Sequence, residues 1–145
     1  MNTILRRIIL GILVLSAVFV GLWAAAFPES FYSSFPGFGQ HWVGADGPYN
    51  EHLVRDVGGL YLGFAAAAVA AIVVRTTTAG RVIGVGWTLF GLLHICYQLG
   101  HPERTALAQV GTVVSLAVDL ALGVLLILPL GASGARRATS TEAAR

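Results

Sequence analysis

The sequence contains no lysine, a single cysteine, and only 11% charged residues in a chain of 145. Soluble domains carry about a quarter charged residues, so this balance excludes that class. The lone Cys96 excludes an intramolecular disulfide and any CxxC redox pair. No HExxH or similarly compact ligand motif is present, so the sequence names no metal site. The net charge of +2 and pI near 9.1 need no nucleic-acid partner, because the arginines have a topological explanation.

What the chain has instead is apolar length. It is 56% hydrophobic with a mean hydropathy of +0.76. Four apolar runs lie at about residues 8–27, 57–74, 82–100 and 109–130. Each is long enough, at about 1.5 Å per residue, to cross a hydrocarbon core of about 30 Å. A spanning backbone must satisfy its own hydrogen bonds, so these runs predict helices. The expected fold is all-α: a four-helix transmembrane bundle over residues 1–131, with an aromatic-rich outer loop between its first two helices. The remainder, 132–145, is small and polar and reads as a disordered cytoplasmic tail. Arg6 and Arg7, the first run and Ala24-Ala25-Ala26 also match a signal peptide, but the run exceeds a signal core and carries Trp23 and Phe27 as interfacial anchors. A retained helix is the expectation.

Orientation follows from the arginines. Arg6, Arg7, Arg75, Arg81, Arg136, Arg137 and Arg145 fall on one side of a four-span chain, and Arg55 and Arg104 on the other. The positive-inside rule then places both termini in the cytoplasm, as in a multi-pass protein of the inner membrane. In the outward loop, Phe27, Phe31, Phe35, Phe38 and Trp42 recur at helical steps, while Pro36, Gly37 and Gly39 interrupt them. They predict a broken segment lying on the membrane or capping the bundle. Asp46-Gly47-Pro48 predicts a turn, with the second long helix starting near Pro48.

Polar residues inside the spans are costly and therefore informative. In the second helix Glu51 and Arg55 are spaced for an ion pair, and His52 and Asp56 share a stripe with Gly59 and Gly63. That small-residue stripe predicts a packing face, with His52 and Asp56 pointing into the bundle. Trp87, His94 and His101 share a stripe on the third helix, beside Gln98. Thr112, Ser115 and Asp119 share one on the fourth. At helical rise Asp119 lies about 15 Å deep and His94 and Ser115 about 9 Å. His94 is the nearest candidate partner for Asp119. Together His52, Arg55, Asp56, His94, Gln98, Ser115 and Asp119 read as an outward-opening polar cleft. Cys96 faces another side of its helix and reads as inert packing.

Four uses of such a cleft stay open. The polar groups act as interhelical hydrogen-bond glue. They line a site for a lipid, quinone or similar amphiphile. His52, His94 and His101 ligate a metal or haem. An Asp/His pair performs proton chemistry, although no nucleophile-and-base spacing names a reaction and no catalytic residue is assigned.

At "VRDVGGLYLGFA", residues 54–65, the chain resembles the small DoxX-like four-helix membrane proteins of bacteria. The longer "FYSSFPGFGQHWVGADGPYNEHLVRDVGGLYLGFA" with "FGLLHICYQLGH" resembles an actinobacterial subgroup of them, over residues 28–128. The resemblance implies a four-helix bundle in the cytoplasmic membrane with both termini inside. Some DoxX-like members are linked to sulfur-compound oxidation coupled to quinones, or to redox-stress complexes. This chain departs from that chemistry in having no cysteine motif. His41, His52, Arg55, Asp56, His94 and His101 match the subgroup pattern without an assigned role.

The expected function is a noncatalytic ligand-binding or accessory subunit. The alternative is a membrane redox protein or enzyme using a His/Asp site with quinone, haem or metal. Membrane lipids, a quinone or lipid-like ligand, a larger membrane complex and a homodimer are the partners considered. Gly59 and Gly63, with Gly84, Gly86 and Gly91, supply packing faces within one bundle or between two.

Overall fold

A computed structural model describes residues 3–129 except 46 and 104. The expected tail at 132–145, with Arg136, Arg137 and Arg145, lies outside the described residues, as do Leu130, Asp46 and Arg104. The described residues form five α-helices, a 3-10 turn at Val43–Ala45 and no strand. The helices are α1 (Ile4–Ala26), α2 (Pro28–Ser34), α3 (Glu51–Val74), α4 (Thr77–Gly100) and α5 (Ala106–Ile127). All but α2 are long and apolar enough to cross a membrane. The protein is a small multi-pass membrane protein built as a four-helix bundle.

Each long helix begins a few residues ahead of its apolar run, and the caps explain why. Thr3, Asn50, Thr76 and Thr105 each accept a backbone N–H from three residues on, at 3.2 Å. These side chains satisfy donors that a helix leaves unpaired at its first turn, a cost felt most strongly near lipid. The start of α3 differs from the expectation: Asn50 caps it, so the helix begins at Glu51 and Pro48 precedes it. Only Arg75, in a left-handed conformation, and Thr76 separate α3 from α4.

Packing is uneven. α1 runs closely along α3, and α4 along α5, while contacts between these two pairs are sparser. Small residues set both close approaches. A Cβ on Gly58 would sit 2.5 Å from the Ala25 backbone nitrogen, and one on Gly21 would sit 2.9 Å from Leu62 Cγ. In the other pair, Gly84 abuts Leu126 and Gly123, and Gly91 abuts Leu120. Between the pairs, Trp87 is fully buried, with Tyr61, Phe64 and Phe90 around it.

Two arginines fasten helix ends. Arg6, 1% exposed, donates to the backbone oxygens of Leu126 at 3.3 Å and Leu128 at 2.8 Å. Arg55 donates to the Ala25 carbonyl and pairs with Glu51 at 2.8 Å. Each guanidinium thus sits at the C-terminus of a neighbouring helix, where unpaired carbonyls and the helix dipole favour a cation.

The sequence-derived orientation of the α3 polar stripe is overturned. The His52 and Asp56 side chains pair at 3.3 Å but are 89% and 58% exposed. Gly59 and Gly63 have nothing within 4 Å of a would-be Cβ. The buried positions of α3, Val54, Gly58, Ala65, Ala68 and Ala71, lie on the face of the helix opposite that stripe. Both registers offer small residues, and only Gly58 against Ala25 brings the backbones together.

Candidate functional site

The end of the bundle holding α2, the 35–50 loop and the α4–α5 turn contains the polar interior; it is called here the loop end. A cavity of ≈ 500 Å³ opens between the helix pairs there. All four long helices contribute: Ser16, Phe19 and Val20 from α1, Val54, Val57 and Tyr61 from α3, His94 and Gln98 from α4, and Thr112, Ser115, Leu116 and Asp119 from α5. Phe31, Phe35, Pro36, Trp42 and Val43 close one wall, and Glu103 stands at the α4–α5 turn. By helical rise Ser16 and Tyr61 lie about 15 Å from the loop-end termini of their helices, so the cavity reaches mid-bundle.

The aromatic wall explains the stripe in the loop. Trp23 contacts Phe31 and Phe35, Phe31 stacks near Phe35 at 4.6 Å between centroids, and Phe35 meets Trp42 edge-on at 6.0 Å. Positive φ at Gly37, Phe38 and Gly39 turns the chain back so that Trp42 reaches this row. Phe27 and Phe38 project outward instead, 67% and 99% exposed. Trp42 packs on Gly111, whose missing side chain gives the ring its place. Its buried indole N–H has no hydrogen-bond partner among the described residues.

A polar network organises the top of the cavity. Glu103 Oε1 accepts from Gln98 Nε2 at 3.1 Å and from Thr112 Oγ1 at 3.2 Å. Gln98 also donates to the His101 carbonyl at 3.2 Å, and the Glu103 amide donates to Gln109 Oε1 at 2.6 Å. Ser115 donates to the Thr112 carbonyl at 2.9 Å. Below this network Asp119 is partly buried and has no hydrogen-bond or ion-pair partner among the described residues. His94, the candidate partner for Asp119, lines the same cavity.

Of the seven candidate residues, His94, Gln98, Ser115 and Asp119 come together on one cavity. His52, Arg55 and Asp56 do not: the first and last face outward, and Arg55 joins α3 to α1. His101 leaves its expected stripe because α4 ends there. Its ring stacks on Tyr97 at 4.0 Å, and its Nδ1 lies 2.9 Å from the Tyr97 carbonyl. His41 bonds the Ser33 carbonyl and lines a second recess, ≈ 620 Å³, at the loop end. Cys96 is exposed rather than packed, because the outward face of a membrane helix meets lipid instead of protein. No group of three His, Cys, Asp or Glu side chains among the described residues is arranged to hold a metal.

Ser16, Tyr61, Trp42 and Glu103 also line the cavity and lie outside the polar stripes legible in the sequence. Ser16 was discoverable as the lone hydroxyl in the first apolar run, where a polar group must find the interior. Glu103 stands in a turn, and nothing in "HPERTALA" shows that its carboxylate folds back over α4 and α5.

No family model matches this chain, and no curated protein or solved structure matches it either.

Proposed function

We propose that this protein binds a small amphiphile, a quinone or lipid-like molecule, in the cavity between its helix pairs, as a noncatalytic binding protein or accessory subunit of the inner membrane. The observation that carries this reading is the ≈ 500 Å³ cavity itself, with apolar and aromatic walls and a few convergent polar groups. Such volume and lining are what small-molecule sites share. Helix glue accounts for the bonds that Gln98 and Thr112 make to Glu103, but not for the space that His94, Ser115 and Asp119 line beside them. Both termini are placed in the cytoplasm by the arginine distribution, which makes the loop end, and the cavity mouth, outward-facing. Kinship with DoxX-like proteins belongs to the same proposal and rests on the "VRDVGGLYLGFA" stretch and the helix count.

Native mass spectrometry in mild detergent tests the reading. The wild-type protein is expected to retain a bound small-molecule mass. Ser115→Phe, which fills the cavity from α5, is expected to lose that mass while remaining folded. Wild-type protein that stays free of adduct after incubation with decylubiquinone and with lysophospholipid would overturn it. The alternative, a redox protein carrying haem or metal, predicts a visible absorption band on the same sample.

A further inference from the structure

The donors and acceptors on the cavity wall are unequally committed. Gln98, Thr112 and Ser115 all donate inward, to Glu103 or to backbone carbonyls. The carboxylate that Gln98 and Thr112 converge on has a second oxygen, and Asp119 deeper down has no hydrogen-bond or ion-pair partner among the described residues. The described residues of the lining include two carboxyl groups, one imidazole (His94) and no arginine. Phe31, Phe35, Trp42 and Tyr61 present aromatic faces and edges to the same space. An aspartate within a spanning helix is costly unless something offsets it. Carboxylates and aromatic faces together are the environment that a desolvated cation finds favourable.

From these features we infer that the cavity selects lipophilic cations: amphiphiles whose head is an amine, ammonium or similar positive group, in preference to neutral or anionic ones. This rests on the reading of the cavity as a ligand site and specifies the ligand's charge. Glu103 and Trp42 line both the inner cavity and the outer recess, so a cation arriving from the recess meets the Glu103 carboxylate first. Asp119, below it, is the final counter-charge. Anionic lipid headgroups meet two carboxyl groups and no arginine on the described wall, so charge works against them.

Tetraphenylphosphonium and tetraphenylborate have nearly the same shape and opposite charge, and they isolate the effect. Saturable binding of each to the purified protein is measured by tryptophan fluorescence and equilibrium dialysis, with empty micelles subtracted. Phosphonium is expected to bind at least tenfold more tightly than borate. Asp119→Asn and Glu103→Gln, both near-isosteric, are each expected to weaken phosphonium binding by tenfold or more in protein that keeps its helical circular dichroism and elutes as the wild type does. Equal or tighter binding of borate, or phosphonium binding indifferent to both substitutions, would overturn the inference. Binding of decylubiquinone without any of phosphonium overturns the cation preference alone and leaves the amphiphile site standing. If phosphonium, decylubiquinone and lysophospholipid all fail to bind, both readings fall.

Discussion

Arg6 is the residue whose role differs most from its sequence appearance. Beside Arg7 it looks like a simple positive-inside signal, yet it is buried and closes α5 through two carbonyls, whereas Arg7 is exposed. A hydrogen bond from a charged group contributes about 1.5–3 kcal/mol. Arg6→Ala is therefore expected to destabilise the protein by about 2–3 kcal/mol in a denaturation titration, since some of the freed carbonyls regain water. Arg6→Lys should recover less than half of that loss, because an ammonium lacks the planar fork that reaches both oxygens. Arg7→Ala should change stability by less than about 0.5 kcal/mol. Equal effects at the two positions would show that charge near the headgroups, not the cap, is what matters.

At the scale of the helices, adjacent glycines in "DVGGLYLG" make a sharp test of register. Gly58 faces the Ala25 backbone at a distance no Cβ tolerates, while Gly59 faces open space. Gly58→Ala should cost about 1–3 kcal/mol through overpacking. Gly59→Ala should leave stability unchanged or raise it by up to about 1 kcal/mol, the usual gain of alanine over glycine in a helix. The α4–α5 pair makes the same demand at Gly84 and Gly123, where a Cβ would come within 2.8 Å of the facing helix. Thermal unfolding of Gly58→Ala and Gly59→Ala in one detergent measures the difference; a reversed order would place the outward stripe at the packing face after all.

The whole molecule is two tight helix pairs with a looser seam, and the seam is where the cavity lies. That arrangement puts the ligand-sized space between the two close-packed pairs, which Arg6 joins at the opposite end of the bundle. It also separates two ends that membrane-impermeant reagents can distinguish. With Cys96 replaced by alanine, a single cysteine at Ser33 marks the loop end and one at Thr76 the other; both native side chains are exposed. The arginine distribution predicts that an impermeant maleimide labels position 33 in intact spheroplasts, and position 76 only after the membrane is permeabilised. The opposite pattern would invert the protein and turn the cavity mouth toward the cytoplasm. Intact mass of the purified protein should include α1, because Ser16, Phe19 and Val20 complete the cavity and Ala17, Gly21 and Ala24 are buried within the bundle.

The sequence by itself determined the fold class. Four apolar runs of spanning length leave a chain no low-energy alternative to helices, since lipid offers backbone groups no hydrogen bonds. It also determined part of the site: the α4 and α5 stripes, one helical face each, carry His94, Gln98, Ser115 and Asp119 to the same space. Only the tertiary structure decided which face of α3 is the inner one. Lipid is as apolar as a protein core, so hydrophobic periodicity does not mark the interior of a membrane helix. The phase is set instead by where backbones approach most closely, and Gly58 against Ala25 turns His52 and Asp56 outward. The tertiary structure likewise brought Ser16, Trp42 and Glu103 to the site from three distant places in the chain. Their meeting depends on the path of the loops, which no local pattern encodes.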